Sequence, residues 1–269
     1  MPGTVTTLRP NETFNGGDWW TITGGPTTVH AATADSLDTT YAVTTGNPAF
    51  LGFGDLAGLP PGARIISVAI RVRWVGDGTA MGAVATVDNL TGKYAWQTSY
   101  YRVPATPRTE TWAAMTTRPD GTPWTLDAVN HLTIRIAGNA TTVKFYEAYV
   151  DVTYNERATV SDVGPSGTIT GQQPTIGWNY GDPDADPQER WQVRVFAGAV
   201  AGAAGFNPET ARAVADSGIA YSSASGAASW SVPAALSPGV YHPYVRAADA
   251  GSGGRWSAWA SSTFTIVGD

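Results

Sequence analysis

The stretch Val143 to Val160, VKFYEAYVDVTYNERATV, decides how the rest of the chain is read. Tyr146, Ala148, Val150, Val152 and Tyr154 fall on alternate positions, and side chains on a strand swap faces at every residue. One face is therefore expected to be apolar, while Glu147, Asp151 and Thr153 populate the other. This is the pattern of a long closing strand. Immediately after it Asn155-Glu156-Arg157 carries no apolar anchor, and beyond Gly164-Pro165-Ser166-Gly167 a different kind of sequence begins. Two β domains are expected, over residues 1–156 and 157–269.

At 269 residues the chain can bury two ordinary cores without staples. It has no cysteine, which removes disulfides, thiolate metal sites and a cysteine nucleophile. Gly 31, Pro 18 and a charged fraction of only 14% suit turn-rich all-β structure with little helix. The formal charge of −6 divides into −2 for residues 1–155 (10 basic, 12 acidic) and −4 for the remainder (6 basic, 10 acidic). Neither half has the basic surplus that gains affinity by releasing counterions, so nucleic acid is not an expected partner. The opening MPGTVTTLRP lacks both a basic n-region and an apolar h-region, and no later window approaches a membrane span. No secretion signal and no membrane insertion are expected.

In the first half, residues 9–26 with Trp19-Trp20 read as an irregular lead-in, and Asp35 and Asp38 flank a turn before a short strand at Tyr41-Val43. FLGFGDL (50–56) is a candidate strand. RIISVAIRVRWV (64–75) is the clearest half-buried one, with Ile66, Val68, Ile70, Val72 and Trp74 on one face and Ser67, Ala69, Arg71 and Arg73 on the other. KYAWQTSYYRV (93–103) places Tyr94, Trp96, Thr98 and Tyr100 together. Thr122 as N-cap and Pro123 at the first helical position predict the domain's one short helix, up to Val129. Eight or so strands with long connections fit a jelly-roll sandwich.

In the second half, Ile176 and Trp178 face the same way and are expected to anchor a small core. Trp191, Val193 and Val195 point in, with Gln192, Arg194 and Phe196 out. Tyr241, Pro243, Val245 and Ala247 share one side of a later strand, and Tyr244 and Arg246 the other. Asn207-Pro208-Glu209 has N-cap chemistry, but Ala211 to Asp216 is read as a short edge strand in preference to a helix, because the domain around it is β.

Two resemblances rest on these segments. The succession ADSLDTTYAV, FGDLAGLPPGARIISVAIRVRWV, PWTLDAVNHLTIRI and EAYVDVTY resembles the N-terminal β-sandwich of minor tail and other structural proteins of phages infecting GC-rich Gram-positive hosts, over about residues 5–155. Similar jelly rolls serve as carbohydrate-binding modules. The closing GRWSAWASSTFTIV is similar to the final strand of fibronectin type III domains, including their occasional W-S-x-W pattern at Trp256-Ser257-Ala258-Trp259. That likeness implies indole rings interleaved with arginines, for which Arg194, Arg246 and Arg255 are the candidates.

No reaction signature accompanies this. His30, His131 and His242 are too scattered for a metal-ligand spacing, and H-E-x-x-H, G-x-S-x-G and the Walker loop are absent. Glu110 and Glu147 are the acids to inspect for glycosidase chemistry, which needs two carboxylates at a set separation. Asp182, Asp184 and Asp186 lack the glycine and the distal glutamate of a calcium loop and read as a turn. Eleven Trp and eleven Tyr exceed what two small cores bury, so Trp19, Trp20, Trp96, Tyr101 and Trp112 are candidate contacts for a glycan or a protein. The expectation is a non-enzymatic, cofactor-free and metal-free virion component, most simply a minor tail protein. It would contact other virion proteins, form a homo-oligomer and meet a host cell-wall glycan. A carbohydrate-binding module or glycan-active protein and a capsid decoration or head-fibre protein are the alternatives.

Overall fold

The computed structural model describes residues 3–268 apart from 15–19, 27, 35–38, 45–47, 54, 55, 57, 91, 98–100, 113, 140–142, 199, 200, 202, 224 and 251–254. For residues 12, 14, 44, 93–97 and 101 it describes the backbone alone. The chain is all-β, with two short helices among the described residues, and it divides into two compact units. One is built from Thr4–Pro60 and Arg64–Tyr154, the other chiefly from Asn155–Asp269, so the division falls at the end of the closing strand, just ahead of the expected boundary.

The N-terminal unit runs β1 (Thr4–Leu8), β2 (Pro10–Phe14), β3 (Trp20–Thr23), α1 (Val29–Ala34), β4 (Tyr41–Thr44), β5 (Ala49–Phe53), β6 (Arg64–Val75) and β7 (Met81–Asp88). It continues through β8 (Lys93–Gln97), β9 (Tyr101–Arg102), β10 (Arg108–Thr111), α2 (Leu126–Asn130), β11 (Leu132–Gly138) and β12 (Lys144–Asn155). One sheet has the order β10-β6-β12-β4-β3, with β1 also on β12; the other is β2-β5-β11-β7-β8, with β9 also on β7. Successive strands β4, β5, β6 and β7, then β10, β11 and β12, alternate between the sheets, as in a jelly roll. The length of β12 lets it serve two partners along one edge. Lys144 and Phe145 pair with β4, and Val150 to Tyr154 pair with β1.

Several expectations are corrected here. Residues 9–26 are not simply irregular, because β2 and β3 find partners in β5 and β4 that no local pattern reveals. A second helix, α1, stands where no element was assigned; the Thr28 hydroxyl accepts the Ala31 amide at 3.4 Å, and Val29, Ala32 and Thr33 are buried. Helix α2 starts later than expected: Thr125, not Thr122, is the N-cap, and its side chain accepts the Ala128 amide. Trp124 anchors that start, buried and donating Nε1 to the Met115 carbonyl at 3.0 Å. The turn read at Asp35 and Asp38, and Thr98 and Tyr100 of the aromatic face, lie outside the described residues.

The core lies between the sheets around Trp74, which meets Phe145 at 5.6 Å between centroids, and Phe145 in turn meets Trp20 at 5.7 Å. Gly82 is required beneath Trp74, since a Cβ there would lie 2.6 Å from the indole ring. On β6, Val68, Ile70, Val72 and Trp74 are buried as expected, but Ile65 and Ser67 are buried at its start while Ile66 is only half-buried. On β12 the expected apolar face is buried, and so are Phe145 and Tyr149. Phe145 meets Trp74, whereas further along Val150 and Val152 are the fully buried positions and Asp151 meets Arg71 and Thr7. The inward side therefore changes parity between Phe145 and Ala148.

The C-terminal unit comprises β13 (Thr159–Gly164), β14 (Gly167–Ile169), β15 (Thr175–Gly181), β16 (Gln188–Ala197), β17 (Ala215–Asp216), β18 (Ala220–Tyr221), β19 (Gly226–Ser231), β20 (Gly239–Asp249), β21 (Ala260–Ser261) and β22 (Phe264–Ile266). A three-stranded sheet β13-β15-β19 faces a larger one ordered β14-β22-β20-β16-β17, the arrangement of a fibronectin type III-like sandwich. Ile176, Trp178, Val193, Val195, Val245, Phe264 and Ile266 form its core, and Trp191 packs on Trp178 at 5.1 Å.

Candidate functional site

In the C-terminal unit β16 and β20 pair so that Gln192 lies opposite Arg246 and Arg194 opposite Tyr244. Because Val193, Val195 and Val245 fill the inner face, the alternate residues Arg190, Gln192, Arg194, Tyr244 and Arg246 are carried on the outer one. The W-S-x-W segment lies against this face. The Ser257 amide donates to the Ala247 carbonyl at 2.7 Å, and the Ala247 amide donates to the Ser257 hydroxyl at 3.1 Å. This pinning places Trp256 and Trp259 beside the arginines. The Arg246 guanidinium lies 4.3 Å from the Trp256 ring centre and 4.4 Å from that of Trp259, and Arg190 lies 4.8 Å from Trp256.

Hydrogen bonds hold the stack in one geometry. Arg246 donates to Gln192 Oε1 from Nε at 3.2 Å and from Nη2 at 2.7 Å, while its Nη1 pairs with Glu209. Glu209 also accepts the Trp259 indole N–H at 2.9 Å. Arg194 donates to Asp216 at 2.9 Å and is capped by the carbonyls of Pro208 and Ala211. Burial pulls Arg246 below the ordinary guanidinium value, and the Glu209 carboxylate opposes that shift.

Of the five residues named for this motif, Trp256, Trp259 and Arg246 are brought together. Arg194 lies instead 5.3 Å over the Phe196 ring, which is buried under Phe206 and Tyr244. Arg255 is half-buried. Arg190 belongs to the stack and was missed, although its position two residues before Gln192 on the same strand face was the available signal.

Of the separate aromatic set, Trp20 and Trp112 have described side chains, and both are packed. Trp20 is a core residue at 8% exposure, and Trp112 is half-buried, edge-on to Trp74 at 6.0 Å. Trp96 and Tyr101 lie on β8 and β9 with side chains outside the described ones, and Trp19 lies outside the described residues. Among the described aromatic rings the exposed one is Tyr221, at 71%, beside a shallow depression lined by Pro187, Gln188, Ser222 and Ala250. Most of the described aromatic rings are thus spent on packing.

No group of three or more His, Asp or Glu side chains among the described residues is placed to hold a metal ion. His30 bonds to Thr13 and Thr28, His131 caps α2, and His242 is buried against Thr263. Glu110 lies 4.0 Å from Arg108 on an edge strand, and Glu147 is half-buried on β12. Residues 182–186 form the expected turn, with Asp182 Oδ1 accepting the amides of Asp184 at 2.9 Å and Asp186 at 3.1 Å. Burial, with the charges of Asp249 and Asp186, pushes the Asp182 carboxyl up to about 6. Among the described residues no helix is long and apolar enough to cross a membrane.

No family model matches the sequence, and no curated protein matches it. Among solved structures the chain is similar to the glycoside hydrolase domain of Endo-D from Streptococcus pneumoniae R6, at TM-score 0.22 and 11% identity over 92% of this chain and 37% of that one. It is also similar to apo β-glucuronidase 3 of Bacteroides uniformis, at TM-score 0.24 and 13% identity over 83% of this chain and 27% of that one. The chain spans less than two fifths of the length of either, and likenesses this slight carry no argument about activity.

Proposed function

We propose that this chain is a non-enzymatic structural and adhesion component of a bacteriophage virion, most simply a minor tail protein that joins other virion proteins and meets the host surface. The observation that supports it best is how the charged and aromatic side chains are used. Arg246, Arg190, Trp256, Trp259, Gln192 and Glu209 are tied into a rigid lattice on an outer sheet face, which suits a load-bearing contact surface. Tandem sandwiches with stiffened faces serve as spacers and adhesion modules, and the sequence resemblance to phage tail proteins supplies the setting. Antibodies raised against the chain should decorate the tails of intact particles in electron micrographs. Particles that never take the label would remove the assignment, and label confined to the head would move the chain to a decoration or fibre role.

A further inference from the structure

The acidic turn is where this chain buries charge that the proposed role does not use. Asp184 is 9% exposed, Asp186 5% and Asp249 0%, and two buried acceptor oxygens, Asp182 Oδ2 and Asn155 Oδ1, meet no donor. The turn also grips the chain where the C-terminal unit begins. Asp184 Oδ2 accepts the Glu156 amide at 2.6 Å, and Asp186 Oδ2 accepts Asn155 Nδ2 at 2.8 Å. Asp182 sets both of these carboxylates in place through the two amides its own Oδ1 accepts. Carboxylates crowded out of water cannot all stay ionised cheaply, and the simplest remedy is a proton shared between two of them.

We propose that the turn at residues 182–186 is a proton-operated clasp: a proton held by Asp182 and shared with a neighbouring carboxylate tightens its grip on Asn155 and Glu156, and loss of that proton loosens it. The groups facing Asp182 are Asp186 in the turn itself, Asp249 at the end of β20 and the Tyr180 phenol on β15, while Asp186 also faces Asp184. Burial raises Tyr180 first and these carboxylates raise it further, so it stays protonated and donates to the Asp186 carbonyl at 2.9 Å. The sign follows from the direction of the Asp182 shift, upward from 3.8 to about 6 in the closed turn. The closed form therefore binds the proton more tightly than an open one, so closure is favoured as pH falls through about 6 and disfavoured above it.

Hydrogen exchange at the Glu156 amide of the full chain reads this directly, because that N–H is donated to Asp184. With chelator present and intrinsic rates divided out, its protection should rise about tenfold between pH 8 and pH 5. Asp182→Asn keeps an oxygen for the two amides and removes the charge, so its protection should be high and flat across that range. Asp249→Asn should flatten the profile in part, and serves if the first variant does not fold. Native protection that ignores pH, or a pH dependence that survives in both variants, overturns the clasp. Calcium restoring full protection at pH 8 would also overturn it, by showing that a metal ion and not a proton answers the charge.

Discussion

Both units lay guanidinium groups over aromatic rings on the outer face of a sheet, and they assemble the contact differently. In the N-terminal unit a single ring, Tyr149, takes Arg9 at 4.8 Å and Arg71 at 5.0 Å, and Arg71 is further tied to Asp151 at 3.1 Å. Its three members come from positions 9, 71 and 149, and nothing in the neighbourhood of any one announces the others. In the C-terminal unit four residues, Trp256 to Trp259, supply both rings, and two adjacent strands supply the arginines. The first arrangement is assembled by topology and the second by a short motif laid on a regular sheet.

The ion pairs differ in the same sense. Arg118 reaches Asp88 with Nε at 3.1 Å and Nη2 at 2.9 Å, and their side chains are 14% and 0% exposed. Arg246 and Glu209 are 13% and 49% exposed, so water already screens one partner of the C-terminal pair. Of these two ion pairs, the N-terminal one is thus sealed from water and the C-terminal one is held at the surface of its unit.

The contrast can be broken by substitution, and the largest effect should come from Arg118→Ala. That change leaves the Asp88 carboxylate buried without its guanidinium and should cost about 3–5 kcal/mol in urea unfolding of the full chain. A loss below about 1 kcal/mol would mean that Asp88 is sufficiently held by its bond to the Leu90 amide. Gly82→Ala should follow, at about 1–3 kcal/mol, because the new methyl must displace the Trp74 indole at the centre of the core. A red shift or quenching of Trp fluorescence should accompany it, and unchanged emission with unchanged stability would show that the ring yields freely. The smallest effect should be that of Arg246→Ala, about 1–2 kcal/mol, seen in the same unfolding experiment. Arg246→Lys should recover less than half of this, since an ammonium cannot lie flat between two indoles while forking to Gln192. Full recovery would reduce the stack to simple charge.

Particular residues show how far sequence reading reaches. The alternation in RIISVAIRVRWV places β6 and its buried Val68, Ile70, Val72 and Trp74 correctly, because a half-buried strand writes its faces into every second residue. It fails at Ile65 and Ser67, on β12 at Phe145, where the inward side changes parity, and at Tyr149, which lies on the outer face but is covered by Arg9 and Arg71. Trp20 was offered as a surface contact, yet it packs on Phe145 from a strand whose partner, β4, lies some twenty residues along the chain. Half of the ladder could be read from W-S-A-W; strand alternation put Arg190 on the same outer face as Gln192, but only the tertiary structure lays an indole over it.

The sequence by itself determined the all-β class, the change of character past residue 156 and the motif that carries the C-terminal stack, since periodicity, turn chemistry and composition are local properties. The tertiary structure decided which strands pair, which rings are spent in cores and which carboxylates are sealed from water. Those outcomes depend on burial and on distances between residues far apart in the chain, such as Asn155 and Asp186 or Arg118 and Asp88, and no local pattern encodes them.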